Sequence, residues 1–81
     1  MHLTDHEQAA LLKKLPILRF FEYEHLPGNL QAESAPFCDL AWEAAAGGAR
    51  WIDGEPQTNA ELGAGLRKLL EAKDCFVRAR L

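Results

Sequence analysis

Apolar positions recur at helical spacing through the last third of the chain. Leu62, Leu66, Leu69, Leu70, Phe76 and Val77 return every three to four residues without an intervening proline, which predicts a helix over residues 58–81. Thr58 followed by Glu61 has the spacing of a capping box, and Arg78 and Arg80 suit the negative end of the helix dipole. A second helical stripe, Leu30, Phe37, Leu40, Ala41 and Ala44, predicts a helix over 29–47 that stops at Gly47-Gly48. Pro36 interrupts it. Two outcomes fit: a single kinked helix, favoured because the apolar period continues through the proline, or a break with Ser34 capping a new helix.

The N-terminal arm, residues 1–16, shows a further capping box at Thr4 and Glu7. Its stripe of Ala9, Ala10, Leu11, Leu12 and Leu15 predicts a short helix that Pro16 ends or bends. So small a helix has little to bury by itself, so its expected place is against the main hairpin or a neighbouring subunit. Residues 17–28, ILRFFEYEHLPG, alternate Phe21, Tyr23 and His25 with Glu22 and Glu24. That is the period of an extended strand, but no second credible strand accompanies it, and the segment reads as an extended or loosely turned connector. Residues 48–57 hold Asp53-Gly54 and Pro56 and read as a loop, with Trp51 and Ile52 folding back on the hairpin end. The expected fold is therefore all-α: a helical hairpin with a short N-terminal helix, assembled as a homo-oligomer.

Length sharpens the last point. Eighty-one residues make one domain with a small core, and a chain of this size buries only about 60% of its unfolded surface. At 48% hydrophobic and 26% charged it is too apolar for a disordered chain. The net charge of −3 argues against general binding to nucleic-acid polymers. No run approaches the roughly 20 apolar residues of a membrane span, and the opening MHLTDHEQ is polar, so a soluble intracellular protein is expected. Cys38 and Cys75 read as reduced, small core residues. No CxxC pair exists and the His2–His6 pair sits near a fraying end, so no metal site is expected.

The charge is unevenly spread. From Leu62 onward five cations, Arg67, Lys68, Lys73, Arg78 and Arg80, face two acids, whereas the first 61 residues hold four cations and ten acids. A basic helix on an acidic chain serves as a solvated face, a cross-subunit partner or an anion site. No nucleophile elbow, phosphate loop or HExxH is present, so catalysis and cofactors are not expected. A base carrying phosphate needs a π surface and a cation. The connector supplies Phe20, Phe21, Tyr23 and His25, and the helix supplies Arg67, Lys68 and Lys73. Each also has a plainer role: Phe20 and Phe21 as core, Tyr23 as a core or interface aromatic, His25 as a turn residue. Arg67 and Lys68, being adjacent, point about 100° apart and cannot both face one ligand from one subunit. Lys73, beside the apolar seam, is placed to pair with an acid or to snorkel.

The segments FEYEHLP, LQAESAPFCDLA and GLRKLLEAKDCFVRA together resemble the small phage-encoded sponge proteins that counter CBASS and Thoeris immunity. The matching positions are Phe21, Tyr23, His25 and Pro27, then Leu40 and Ala41, then Leu66, Leu69, Leu70, Glu71 and Ala72, so the resemblance runs from about Phe20 to Ala79 without the 48–57 link. It implies a helical-hairpin protein, commonly a hexamer, acting in the cytoplasm of the infected bacterial host. There it would sequester cyclic dinucleotides, cyclic trinucleotides or cyclic ADP-ribose isomers between subunits without cleaving them. Tyr23 and His25 would meet the base, with Phe21 beside them, and Arg67, Lys68 and Lys73 the phosphate. The rival reading is a small helical interaction module that masks a host protein, with the aromatics as anchors and the cations as rim charges.

Overall fold

The computed structural model describes residues 2–81. Three α-helices, α1 (Asp5–Lys14), α2 (Gly28–Gly48) and α3 (Ala60–Ala79), are joined by a 3-10 helix (Pro16–Phe21) and by a two-stranded antiparallel hairpin, β1 (Arg50–Ile52) and β2 (Glu55–Gln57). The fold is thus mostly helical, with a small sheet where a plain loop was expected. Among the described residues no helix is long and apolar enough to cross a membrane.

The arm begins as its sequence predicts. Thr4 Oγ1 accepts from the Glu7 amide at 3.1 Å and Glu7 Oε1 accepts from the Thr4 amide at 2.9 Å, a reciprocal cap. After Lys14 the chain tightens, with Pro16 in the first turn of the 3-10 helix, where its missing amide costs nothing. Leu15, Leu18 and Phe21 then stand three residues apart, which is one full 3-10 turn, and all three are buried. The connector is therefore helical over its first half, not extended. Its adjacent phenylalanines separate: Phe21 is fully buried, whereas Phe20, expected in the core, is 66% exposed.

Helix α2 runs through Pro36 as a single helix and does not break for a new start at Ser34. Pro36 and Ala32 are both exposed, so the carbonyl deprived of its helical partner can turn to water. The entry to α2 has no side-chain cap, but Gln31 Nε2 donates back to the carbonyls of Glu24 at 3.1 Å and Leu26 at 2.7 Å, strapping the connector to the helix. At the far end, Asp53 (φ 52°) and Gly54 (φ 77°) form the two-residue turn that joins β1 to β2, and only glycine takes such angles freely. Trp51 folds back as expected, its Nε1 donating to the Ala46 carbonyl at 2.9 Å, while Ile52 stays largely exposed. Helix α3 starts one residue later than the expected box allows. Asn59, not Thr58, is the cap, accepting from the Leu62 amide at 2.9 Å.

The core lies between the arm and one side of the hairpin. Leu11, Leu15, Leu18 and Phe21 bury against Ala41 and Ala45 of α2 and Leu66 of α3. The small residues of α2 let the arm sit close. Gly48 has the same purpose at the helix end, because a Cβ there would lie 3.0 Å from Leu62 Cδ1. Phe37 and Phe76 stack across the α2–α3 seam with centroids 5.5 Å apart, and Arg80 pairs with Glu33 at 2.9 Å beyond them. The cysteines are free: Cys38 is half-buried, and Cys75, expected in the core, is exposed.

Candidate functional site

The six candidate residues occupy two elements. On the connector, Phe21 is part of the core and offers a ligand no surface in the single chain. Tyr23 is half-buried, and its amide donates to Glu24 Oε2 at 3.2 Å. His25 is exposed inside the turn closed by the Leu26 amide on the Tyr23 carbonyl at 3.0 Å. The connector's own charge is negative. Burial first, and then Asp39, Glu24 and Glu22, push the Cys38 thiol above its ordinary value, which places those carboxylates around the connector side of α2. An anion approaching Tyr23 from there meets repulsion unless cations arrive from elsewhere.

On α3, Arg67 and Lys68 are both exposed, and neither forms an ion pair among the described residues. They diverge as adjacent helical residues must. The end of Arg67 lies back along the helix near Gly63, 3.6 Å from where a Cβ would stand, and Lys68 stands on another flank of the helix, in phase with Glu61 to within about 20°. Lys73 behaves as a lysine beside an apolar seam should: only 12% of its side chain is exposed, and its Nζ reaches Asp74 Oδ1 at 3.0 Å. That pairing neutralises the charge locally.

The two principal concavities use none of these six. One, about 400 Å³, lies between α1 and α2 and is lined by Gln8, Asp39, Trp42 and Glu43. The other, about 320 Å³, is an apolar groove between α2 and α3, lined by Leu40, Ala44, Leu62, Gly65 and Leu69 with Glu61 at its end. Among the described residues no group of three or more His, Cys, Asp or Glu side chains stands together to hold a metal ion.

The apolar groove was not foreseen. Leu40 reads in sequence as one more core position of an amphipathic stripe, yet it is 49% exposed, and Phe76, equally apolar in pattern, is 52% exposed. Periodicity shows which residues share a face and is silent on whether anything covers it. The candidate aromatic and cationic residues thus lie on separate elements of a single chain, the turn after the 3-10 helix and α3. The chain matches no protein-family model, no curated protein and no solved structure.

Proposed function

We propose that this chain is a non-catalytic sponge: a homo-oligomer that binds cyclic oligonucleotide immune messengers between subunits, in the cytoplasm of a phage-infected bacterium. The observation that carries the reading is the exposed state of Arg67 and Lys68, unpaired among the described residues, on a chain that is acidic elsewhere, together with the resemblance of the segments around them. Two cations left without carboxylate partners keep their full capacity for phosphate oxygens. The aromatic half, Tyr23 and His25, is bordered by Glu22 and Glu24, so a phosphate-bearing base is held there only when cations come from a neighbouring subunit. Such a protein acts by mass action. It lowers free messenger when its sites are more numerous than the messenger and the dissociation constant is below the effector's.

Isothermal titration with a panel of cyclic dinucleotides, cyclic trinucleotides and cyclic ADP-ribose isomers at two salt concentrations tests this, with mass by light scattering alongside. The expected result is submicromolar, salt-sensitive binding with fewer than one ligand per chain. Arg67→Ala should weaken it by about 1.5–3 kcal/mol, the worth of a hydrogen bond to a charged group, while the assembly keeps its mass. Absence of heat with every member of the panel would remove the reading. The exposed Leu40 and Phe76 favour a second reading, a module that masks a host protein, for which a host protein co-purifying with a monomeric chain is the sign.

A further inference from the structure

We infer that the open face of the α2–α3 hairpin is a two-fold contact with a second copy of this chain, in which the α3 helices cross antiparallel at Gly65 and Glu61 of each protomer meets Lys68 of the other. This rests on the self-association in the sponge reading and adds to it where the subunit boundary runs and which cation belongs to it.

Apolar exposure comes first. The arm covers one side of the hairpin, and on the other side Leu40 and Phe76 are half-exposed around the groove. By helical phase Phe76 lies two turns beyond Leu69 on the same flank of α3, so the apolar strip continues past the groove. Helices of 21 and 20 residues are each about 30 Å long, and a face two helices wide approaches the ~800 Å² per partner of a standard interface.

Gly65 supplies the crossing point. A glycine in a helix interior is unfavourable relative to alanine, so its presence calls for a use. Gly48 has one inside the chain, because Leu62 occupies the space its Cβ would need. Gly65 has none: a Cβ there would meet nothing within 4 Å, and the residue is exposed on the groove wall. Its missing side chain leaves the backbone of α3 open to close approach at the groove wall.

Charge selects the occupant. Glu61 and Lys68 are seven residues apart, in phase to within about 20°, and both are exposed without ion-pair partners among the described residues. An antiparallel two-fold through Gly65 sets Glu61 opposite Leu69 and Lys68 opposite Leu62. Glu61 and Lys68 of the partner subunit then fall within one residue's rise, about 1.5 Å, along the helix. A parallel crossing would set Glu61 against Glu61 and Lys68 against Lys68. Complementarity of a surface with its own two-fold image is the mark of an isologous contact, and a foreign partner would have no reason to match it. Lys68 then belongs to the boundary and leaves the phosphate-binding set of the sponge reading, which keeps Arg67, on the other flank, as its free cation among the described residues.

The test is a charge exchange in the full chain without nucleotide, read by sedimentation over a concentration series. Glu61→Lys and Lys68→Glu should each weaken association about tenfold or more, since each sets like charges together at two symmetric places. The double variant should restore it. Gly65→Leu should abolish association while leaving the thermal midpoint of the monomer no lower, as leucine is the better helix former. A monomeric wild-type chain, single exchanges without effect, or a double variant as weak as the singles would overturn the inference. Self-association without nucleotide heat would leave this contact standing and remove the sponge reading. Nucleotide binding by a strictly monomeric chain would remove the contact.

Discussion

The same two helices present two unlike faces. On the side of the arm, Leu11, Leu15, Leu18 and Phe21 fill the space above Ala41, Ala45 and Leu66 until almost nothing is exposed. On the opposite side Leu40 and Phe76 are just as apolar yet about half-exposed, although Phe76 stacks on Phe37 and the neighbouring Leu69 also touches the core. The first face is closed by residues of the same chain and concerns folding. The second remains open to solvent at a hydrophobic cost, a difference that composition does not show.

The largest expected effect breaks the closed face. Phe21→Ala should cost about 3–5 kcal/mol by cavity formation, read as a lower midpoint in urea; a loss under about 1 kcal/mol would show that the arm is not the lid described. Ser34→Ala sharpens the picture of the same interior. The Ser34 hydroxyl is buried without a hydrogen-bond partner among the described residues, so its removal should raise stability by up to about 1 kcal/mol in the same assay, and destabilisation would reveal a partner. On the open face, Leu40→Ser should leave the stability of the isolated chain within about 0.5 kcal/mol while weakening association, and a large loss of monomer stability would erase the contrast between the faces. The smallest effect concerns the thiols. Exposed Cys75 should be alkylated before half-buried Cys38, whose thiol is held protonated above its ordinary value of 9.0. The folded state therefore binds that proton more tightly than the unfolded chain. The contribution is full below pH 9 and is lost as pH rises through the higher folded value, so stability should fall in that alkaline window and Cys38→Ala should flatten the fall.

The helices were legible because their information is local. The Thr4–Glu7 box, the Gly47-Gly48 stop and the stripe of α3 all act within a few residues of themselves. The 3-10 helix was readable only in part. Leu15, Leu18 and Phe21 carry its period of three, but Phe21, Tyr23 and His25 carry a period of two in overlapping positions, and only packing against α1 decides between them. The Asp53-Gly54 pair is a strong hairpin signal, yet strands of three residues are too short to show alternation. Of the candidate site, the exposure of Arg67 and Lys68 and the tucked Lys73 followed from helical phase. The burial of Phe21 beside an exposed Phe20 did not, since adjacent identical residues differ only in what the rest of the chain places over them.

The docking of α1 on β2, marked by His6 Nε2 and Glu55 Oε1 at 3.4 Å, joins the two ends of the connector–hairpin unit across most of the sequence. Helices α2 and α3 are consecutive helices that close through the short β1–β2 link, so the expected order of folding is helical hairpin first and arm last, the longer loop carrying the larger closure entropy. In that interval both sides of the hairpin are bare. In the proposed assembly, pairing that began before the arm settled would have two competing faces to choose from, and prompt docking of a ten-residue helix would act as the kinetic proofreader of its geometry.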